Sequence, residues 1–496
     1  MTSAEQKFIQ TMKEITAYDE AISLIGWDLR TYIPKKGMDH RSDTIGLLSN
    51  KRNELKTSEK MKALIDQLKT ENSTPVIKKS VEEAEREYEK FRSIPSQELT
   101  EFITLTSKSE TVWQEAREKS DFSLLQPYLE KIVEFNKKIA EYRGYDNNKY
   151  EGLLDDYEPG LTIDVLDQVF GQLKTALIDL VKKINQSKVE VDSGLLLKHF
   201  PKDKQKSFSL AVLDKMGFDF DAGRLDETIH PFATGINPYD VRVTTRYDEN
   251  DFRMAVFGTI HEGGHALYEQ NIDPDLHQTL LADGVSMGIH ESQSLFWENF
   301  VGRSRAFWES HFDLFKDHAP KSFEAIEFDH FYRAINEVKP SMIRIEADEL
   351  TYSLHIIIRY ELEKELINGD LAVKDLPEAW NQKMEDYLGI KPANDSEGLL
   401  QDIHWSAGDI GYFPTYALGY MYAAQLHAKM NDEIDIDNMI RLGDFEPLKQ
   451  WLTENIHRHG KMKKPLDLIR DVTGEGLNPT YLIDYLTNKY TDIYQL

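Results

Sequence analysis

The sequence predicts a mostly α-helical body carrying one small β-sheet. Three observations lead there. Apolar residues recur near the helical spacing through most of the 496 residues, one segment alternates with period two, and no repeat, low-complexity tract or Gly/Ser-rich linker divides the chain. A single unit over 1–496 with no linker-marked boundary is therefore expected.

Phe8, Met12, Ile15, Ile22 and Ile25 step at helical intervals near the start, and Leu166, Phe170, Leu173, Leu177, Leu180 and Ile184 do so later. Between them the charged stretch from Val81 to Arg143 is helical, with a break near Ser93-Ile94-Pro95. Residues 147–160 lose periodicity and end in the turn Glu158-Pro159-Gly160. From Asp240 to Tyr247 the polar residues Asp240, Arg242, Thr244 and Arg246 share one face, and Val241, Val243 and Tyr247 the other. A strand is expected there, its polar face towards a groove. Asp251 can cap the helix that follows, which carries Phe252, Met254, Phe257, Ile260 and Leu267. Further helices are expected from Asp283 to about Ser310, from Pro340 to Asn368-Gly369 and from about Phe413 to His427.

Lys and Arg total 59 against 86 Asp and Glu, a formal net charge of −27, and cysteine is absent. That charge disfavours nucleic acid, because phosphate binding needs clustered cations. The absence of thiols removes thiol nucleophiles, disulfides and Cys-ligated zinc, and leaves His, Asp and Glu as metal ligands. Met1-Thr2-Ser3-Ala4-Glu5-Gln6 lacks the pattern of a leader, and no stretch approaches the ~20 apolar residues of a membrane span. A soluble cytoplasmic protein without a membrane partner is the expectation.

The chemistry concentrates in His261-Glu262-Gly263-Gly264-His265. Residues four apart on a helix project from nearly the same face, so the two imidazoles can reach one zinc ion, with Glu262 over the ion's water as general base. The bare H-E-x-x-H pattern arises by chance in roughly one chain of this size in twenty, so context must decide. Gly263 and Gly264 together cost about 2 kcal/mol in a helix interior, a penalty tolerated where another backbone or a substrate comes close. Ile260, Ala266 and Leu267 suggest a buried helix, in which the polar residues need partners. A third ligand is required. Tyr268 and Asn271 stand where the longer H-E-x-x-H-x-x-G-x-x-H motif has Gly and His, so that class is out. Glu269 lies too far along the same helix to close a tetrahedron easily. His290, Glu291 and Glu298 on the next helix remain, with spacing favouring Glu291 over His290 only slightly.

Six motifs in order now bear on identity: His230-Pro231-Phe232, the Asp240-x-Arg242-x-Thr244 strand, the His261 to His265 motif, His290-Glu291-Ser292-Gln293-Ser294, Ile343-Arg344-x-x-Ala347-Asp348, and Gly398-x-x-Gln401-Asp402-x-His404-Trp405. Together they resemble the thermostable carboxypeptidase Taq family of zinc metallocarboxypeptidases, densely over about 230–405. The resemblance implies His261, His265 and Glu291 as metal ligands and Glu262 as general base. It also implies a two-lobed helical fold with a deep groove, similar to neurolysin and angiotensin-converting enzyme, and commonly a homodimer.

The other signatures then acquire roles. Arg344, one helical turn from Asp348, either pairs with it or grips the terminal carboxylate of a peptide, with Arg242 and Arg246 competing for the grip. His404 can donate to an oxyanion, and Tyr416 is preferred to Tyr412 as the phenol that assists. His230, extended ahead of Pro231, can reach the groove rim, and Asp240 joins Arg242 among the substrate-binding residues. The expected function is removal of residues from the carboxyl ends of short peptides, with broad specificity and zinc as cofactor, cobalt being the alternative ion. One rival is a zinc endopeptidase of the oligopeptidase type. Another is a catalytically dead binding protein, whose mark would be loss of Glu262.

Overall fold

The computed structural model describes residues 2–496. The chain opens with four helices, α1 (Ser3–Thr31), α2 (Met38–Lys56), α3 (Glu59–Leu68) and α4 (Pro75–Arg92). Thr2 caps α1 reciprocally: its hydroxyl accepts from the Glu5 amide at 3.2 Å, and its own amide donates to the Glu5 carboxylate at 2.7 Å. Phe8, Met12 and Ile15 of α1 join Met61, Ile65 and Leu68 of α3 and Val81 and Ala84 of α4 in a hydrophobic cluster of their own.

A second, far larger cluster unites the rest of the chain. It is built by α5 (Ser96–Lys119), α6 (Phe122–Arg143), α7 (Glu151–Leu154), α8 (Ile163–Gln186) and α9 (Lys202–Met216), followed by a small sheet. After the sheet come α10 (Arg253–Gln270), α11 (Met287–Leu295), α12 (Arg305–His318) and α13 (Phe328–Ile335). Then follow α14 (Tyr352–Asn368), α15 (Leu376–Leu388), α16 (His404–Ala407) and α17 (Pro414–Asn431). Four more helices close the chain: α18 (Ile436–Leu442), α19 (Glu446–Asn455), α20 (Pro465–Thr473) and α21 (Thr480–Tyr494). No helix among the described residues is long and apolar enough to cross a membrane. A cleft of about 580 Å³ separates the two clusters, with Asp19 and Glu20 of α1 and Glu87 of α4 on one side and Glu269 and His290 on the other.

The sheet comprises β1 (Gly223–Glu227), β2 (Ala233–Asn237) and β3 (Asp240–Thr245) in the order β1-β3-β2. β3 runs parallel to β1 and antiparallel to β2. Val241 and Val243 are fully buried, as the alternation predicts. The polar face departs from expectation: α1 covers it, and the Arg242 guanidinium pairs with Asp240 at 2.8 Å and lies 4.3 Å from the Trp27 ring. Thr244 on that face is fully buried and donates its hydroxyl to the Phe232 carbonyl.

Two of the expected helices also differ. Asp283 to Ser310 divides into α11, a π-helical turn over Phe296–Gly302 and the start of α12. No helix begins at Pro340, because Asp348 accepts from the amides of Lys339, Leu350 and Thr351 and delays α14 until Tyr352. Arg344 consequently sits in a short 3₁₀ turn rather than on a helix.

Candidate metal centre and its surroundings

α10 is buried along Ile260, Glu262, Gly263, Gly264, Ala266 and Leu267. His261 and His265, one turn apart, bring their ring centroids to 5.0 Å. From α11 the Glu291 carboxylate enters the same space, its Oε2 standing 3.5 Å from His265 Nε2 and 3.8 Å from His261 Nε2. One donor atom from each residue lies within 4.8 Å of the other two, the one such His, Asp or Glu group among the described residues. Ligands at 2.0–2.2 Å from a tetrahedral ion stand roughly 3.3–3.6 Å apart, close to these separations.

The outer nitrogens explain why the inner ones are available. His261 Nδ1 donates to Glu298 Oε2 at 2.9 Å, and Arg303 holds the other Glu298 oxygen at 2.8 Å. His265 Nδ1 meets His290 Nδ1 at 2.7 Å, and His290 Nε2 meets Glu269 Oε1 at 2.7 Å. A carboxylate only accepts, so His290 Nε2 donates to Glu269, and its Nδ1 shares a hydrogen bond with His265 Nδ1. Both ligand candidates are thus held with Nε2 turned towards Glu291. His290 and Glu298, weighed from the sequence as third ligands, occupy these orienting positions instead. The π-helical turn carries Glu298.

Burial lowers His265 to about 4. It acts on His261 as well, but the carboxylates of Glu291, Glu298 and Glu262 outweigh it and raise that group to about 10. Burial raises Glu262 to about 7, with His261 and the Ala233 amide opposing it. Glu298 moves the other way, to about 2, because Arg303 and His261 overcome its burial. Three carboxyl groups around two imidazoles make a centre that favours a cation.

A second cluster of charge adjoins the first. Arg344 is 6% exposed, and Asp348 is not its partner. Its Nε and Nη2 both donate to Asp402 Oδ1, at 3.1 and 2.8 Å, and its Nη1 donates to the Tyr352 hydroxyl at 3.2 Å. Tyr352, Tyr412 and Tyr416 span the gap to the metal centre, since each phenol, raised first by burial, is raised further by Glu291. The Arg344 guanidinium lies 5.1 Å from the Tyr416 ring, and the His404 ring lies 5.5 Å from that of Tyr412. His404 Nδ1 is buried without a hydrogen-bond partner, and burial lowers the ring to about 4, so it is neutral near pH 7.

The fold therefore gathers His261, Glu262, His265, Glu291, Arg344, His404 and Tyr416 into one region. It gives other candidates different surroundings. Arg242 and Asp240 bind each other under α1, and His230 and Arg246 are exposed beyond the ends of the strands. Arg359 was missed altogether. Its signal was present: one cation inside the apolar run Ile356-Ile357-Ile358-Arg359-Tyr360 must be buried and therefore paired.

Residues 7–490 match the family model described as carboxypeptidase Taq (M32) metallopeptidase. Carboxypeptidase 1 of Bacillus subtilis (strain 168) is 56% identical over 495 residues, covering 99% of each chain. Thermostable carboxypeptidase 1 of Thermus thermophilus is 38% identical over 511 residues, again covering 99% of each. The crystal structure of the M32 carboxypeptidase from Deinococcus radiodurans R1 superposes with a TM-score of 0.97 at 36% identity, covering 100% of both chains.

Proposed function

Because the chain belongs to the carboxypeptidase Taq (M32) family of metallopeptidases, we propose that it removes residues from the carboxyl ends of peptides with a zinc ion held by His261, His265 and Glu291. It is a metallocarboxypeptidase; the ion and the residue roles are the proposed part. The observation that carries them is the convergence of two imidazole nitrogens, each ring held by a hydrogen bond behind it, on one carboxylate oxygen. A nitrogen-rich set with one carboxylate and no sulfur suits zinc, and cobalt fits the same set.

When bound, zinc would polarise the scissile carbonyl and make the attacking water more acidic. Glu262, next to His261 and held by the Ala233 amide, takes the proton from that water and passes it to the leaving amine. Tyr416, with its ring under Arg344, offers a hydroxyl to the oxygen that becomes negative in the transition state, and neutral His404 is the second candidate donor. Arg344 receives the substrate's terminal carboxylate. Five N–H groups less the three engaged by Asp402 and Tyr352 leave one each on Nη1 and Nη2.

The test is a peptide digested as the free acid and as its carboxyl-terminal amide, followed by mass spectrometry beside a metal analysis. One zinc per chain, stepwise shortening of the acid and little change in the amide are expected. Internal cleavage of both peptides would replace this reading with an endopeptidase.

A further inference from the structure

Arg359 of α14 belongs to none of the six motifs, yet it is fully buried beside one of them. Its Nε donates to Asp402 Oδ2 at 2.7 Å, and its Nη2 stands 2.6 Å from the same oxygen. Nη1 donates to the His355 carbonyl at 2.8 Å, and the guanidinium lies 4.6 Å from the Trp380 ring and 5.3 Å from that of Phe413. Asp402 is thus divided, one oxygen for Arg359 and the other for Arg344. Of the neighbouring groups, His355 and His404 are lowered by burial to about 3 and about 4 and are neutral near pH 7. Glu363 is committed to the Tyr150 hydroxyl, the Trp405 indole and the Gly411 amide.

Two guanidinium groups share one carboxylate, leaving one positive charge over. An Arg344–Asp402 pair alone would be neutral, and a peptide carboxylate entering it would remain uncompensated in a site largely removed from water. We propose that Arg359 is a positioning residue for substrate selection: by holding Asp402 Oδ2 it leaves the surplus charge and two N–H groups of Arg344 to the terminal carboxylate of the peptide. Arg359 itself, with no exposed surface, does not touch substrate. The inference rests on the assignment of Arg344 as the carboxylate-receiving group.

The test compares an N-blocked dipeptide acid and its amide as competitive inhibitors of the zinc-loaded chain, with KM and kcat for a longer peptide. Arg359→Met should weaken the acid about tenfold or more and the amide less than about threefold, raising KM with little change in kcat. Arg359→Lys, which keeps the charge but loses the planar fork, should weaken the acid less than Arg359→Met does and leave the amide within about threefold of the parent. If Arg359→Met does not fold by circular dichroism, Arg359→Gln keeps a donor to Asp402 without the charge and carries the same expectation. Equal weakening of acid and amide in the uncharged variant would make Arg359 a structural residue and overturn the proposal. Arg344→Ala tests the underlying assignment separately. If that change weakens the acid alone while Arg359→Met does not, the proposal fails and the role of Arg344 stands. If Arg344→Ala weakens both inhibitors equally, both fall.

Discussion

Gly264 lies directly against the main chain of Gln293: a β-carbon there would stand 2.5 Å from the Gln293 carbonyl oxygen and 2.7 Å from the Ser294 α-carbon. This contact sets the separation between the helix bearing both histidines and the helix bearing Glu291. Gly263 differs, because its β-carbon would meet the side-chain ends of Leu213 at 2.6 Å and Met216 at 3.1 Å, which can move. Gly264→Ala should therefore push α10 and α11 apart, lowering stability by about 1–3 kcal/mol through overpacking and zinc affinity by about tenfold or more through misplaced ligands. Gly263→Ala should be milder, partly offset by the ~1 kcal/mol gain in helix propensity. Chelator competition and thermal melts on the two variants check this, and equal effects would count against it.

Glu262 adjoins the proposed ligand His261 and stands outside the proposed ligand set. Glu262→Gln keeps the size and the contact with the Ala233 amide but removes the base. Zinc content should stay near the parent value while kcat falls at least ~10²-fold. Loss of zinc from the variant would move Glu262 into the ligand set.

The third ligand and the orienting residues should separate by rank. Glu291→Ala removes the oxygen 3.5 Å from His265 Nε2, whereas His290→Ala and Glu298→Ala remove only what holds the rings from behind. The latter two should each weaken zinc by about 10- to 100-fold, and Glu291→Ala by more. Equilibrium dialysis measures all three, and a larger loss from His290→Ala would reassign the ligand.

A pH effect on stability is expected from Glu158. It is fully buried, accepts from Tyr422 Oη at 2.8 Å and from the Gly288 amide of α11 at 3.1 Å, and burial, opposed by those bonds, raises it to about 7 from 4.5. A carboxyl raised in the fold favours folding fully below its unfolded pKa, and that contribution is lost as pH rises through the folded pKa. Burial raises Glu363 to about 7 as well. His265, His355 and His404, lowered by burial, act with the opposite sign, so the Glu158 contribution is read by difference: in chelator-treated protein the Tm of the parent relative to that of Glu158→Gln should fall between pH 4.5 and 7 and then level off. At ~1.4 kcal/mol per pKa unit, that difference should change by a few kcal/mol across the range. A difference that stays constant across that range would mean that Glu158 is already ionised in the fold.

The pairing of His261 with His265 was legible in the sequence because it depends only on the pitch of one helix. The helical class and the buried face of β3 at Val241 and Val243 followed from equally local periodicities. The Gly263-Gly264 pair announced a close approach without naming what approaches. Tertiary structure decided the rest. Glu291 and His290 are adjacent, and only the way α11 packs on α10 turns the first towards Nε2 of the histidines and the second behind His265. The polar face of β3 looked open until α1 laid Trp27 over Arg242, a contact between the two ends of a separation that no helical or strand period can span. Arg344 had a local partner on offer in Asp348, but the Asp348 carboxylate was taken by backbone amides, which stopped the helix and freed Arg344 for Asp402. Spacing along a chain fixes which side chains share a face of one element; which distant charge meets that face is set by burial, because a guanidinium removed from water takes whichever carboxylate the packing brings to it.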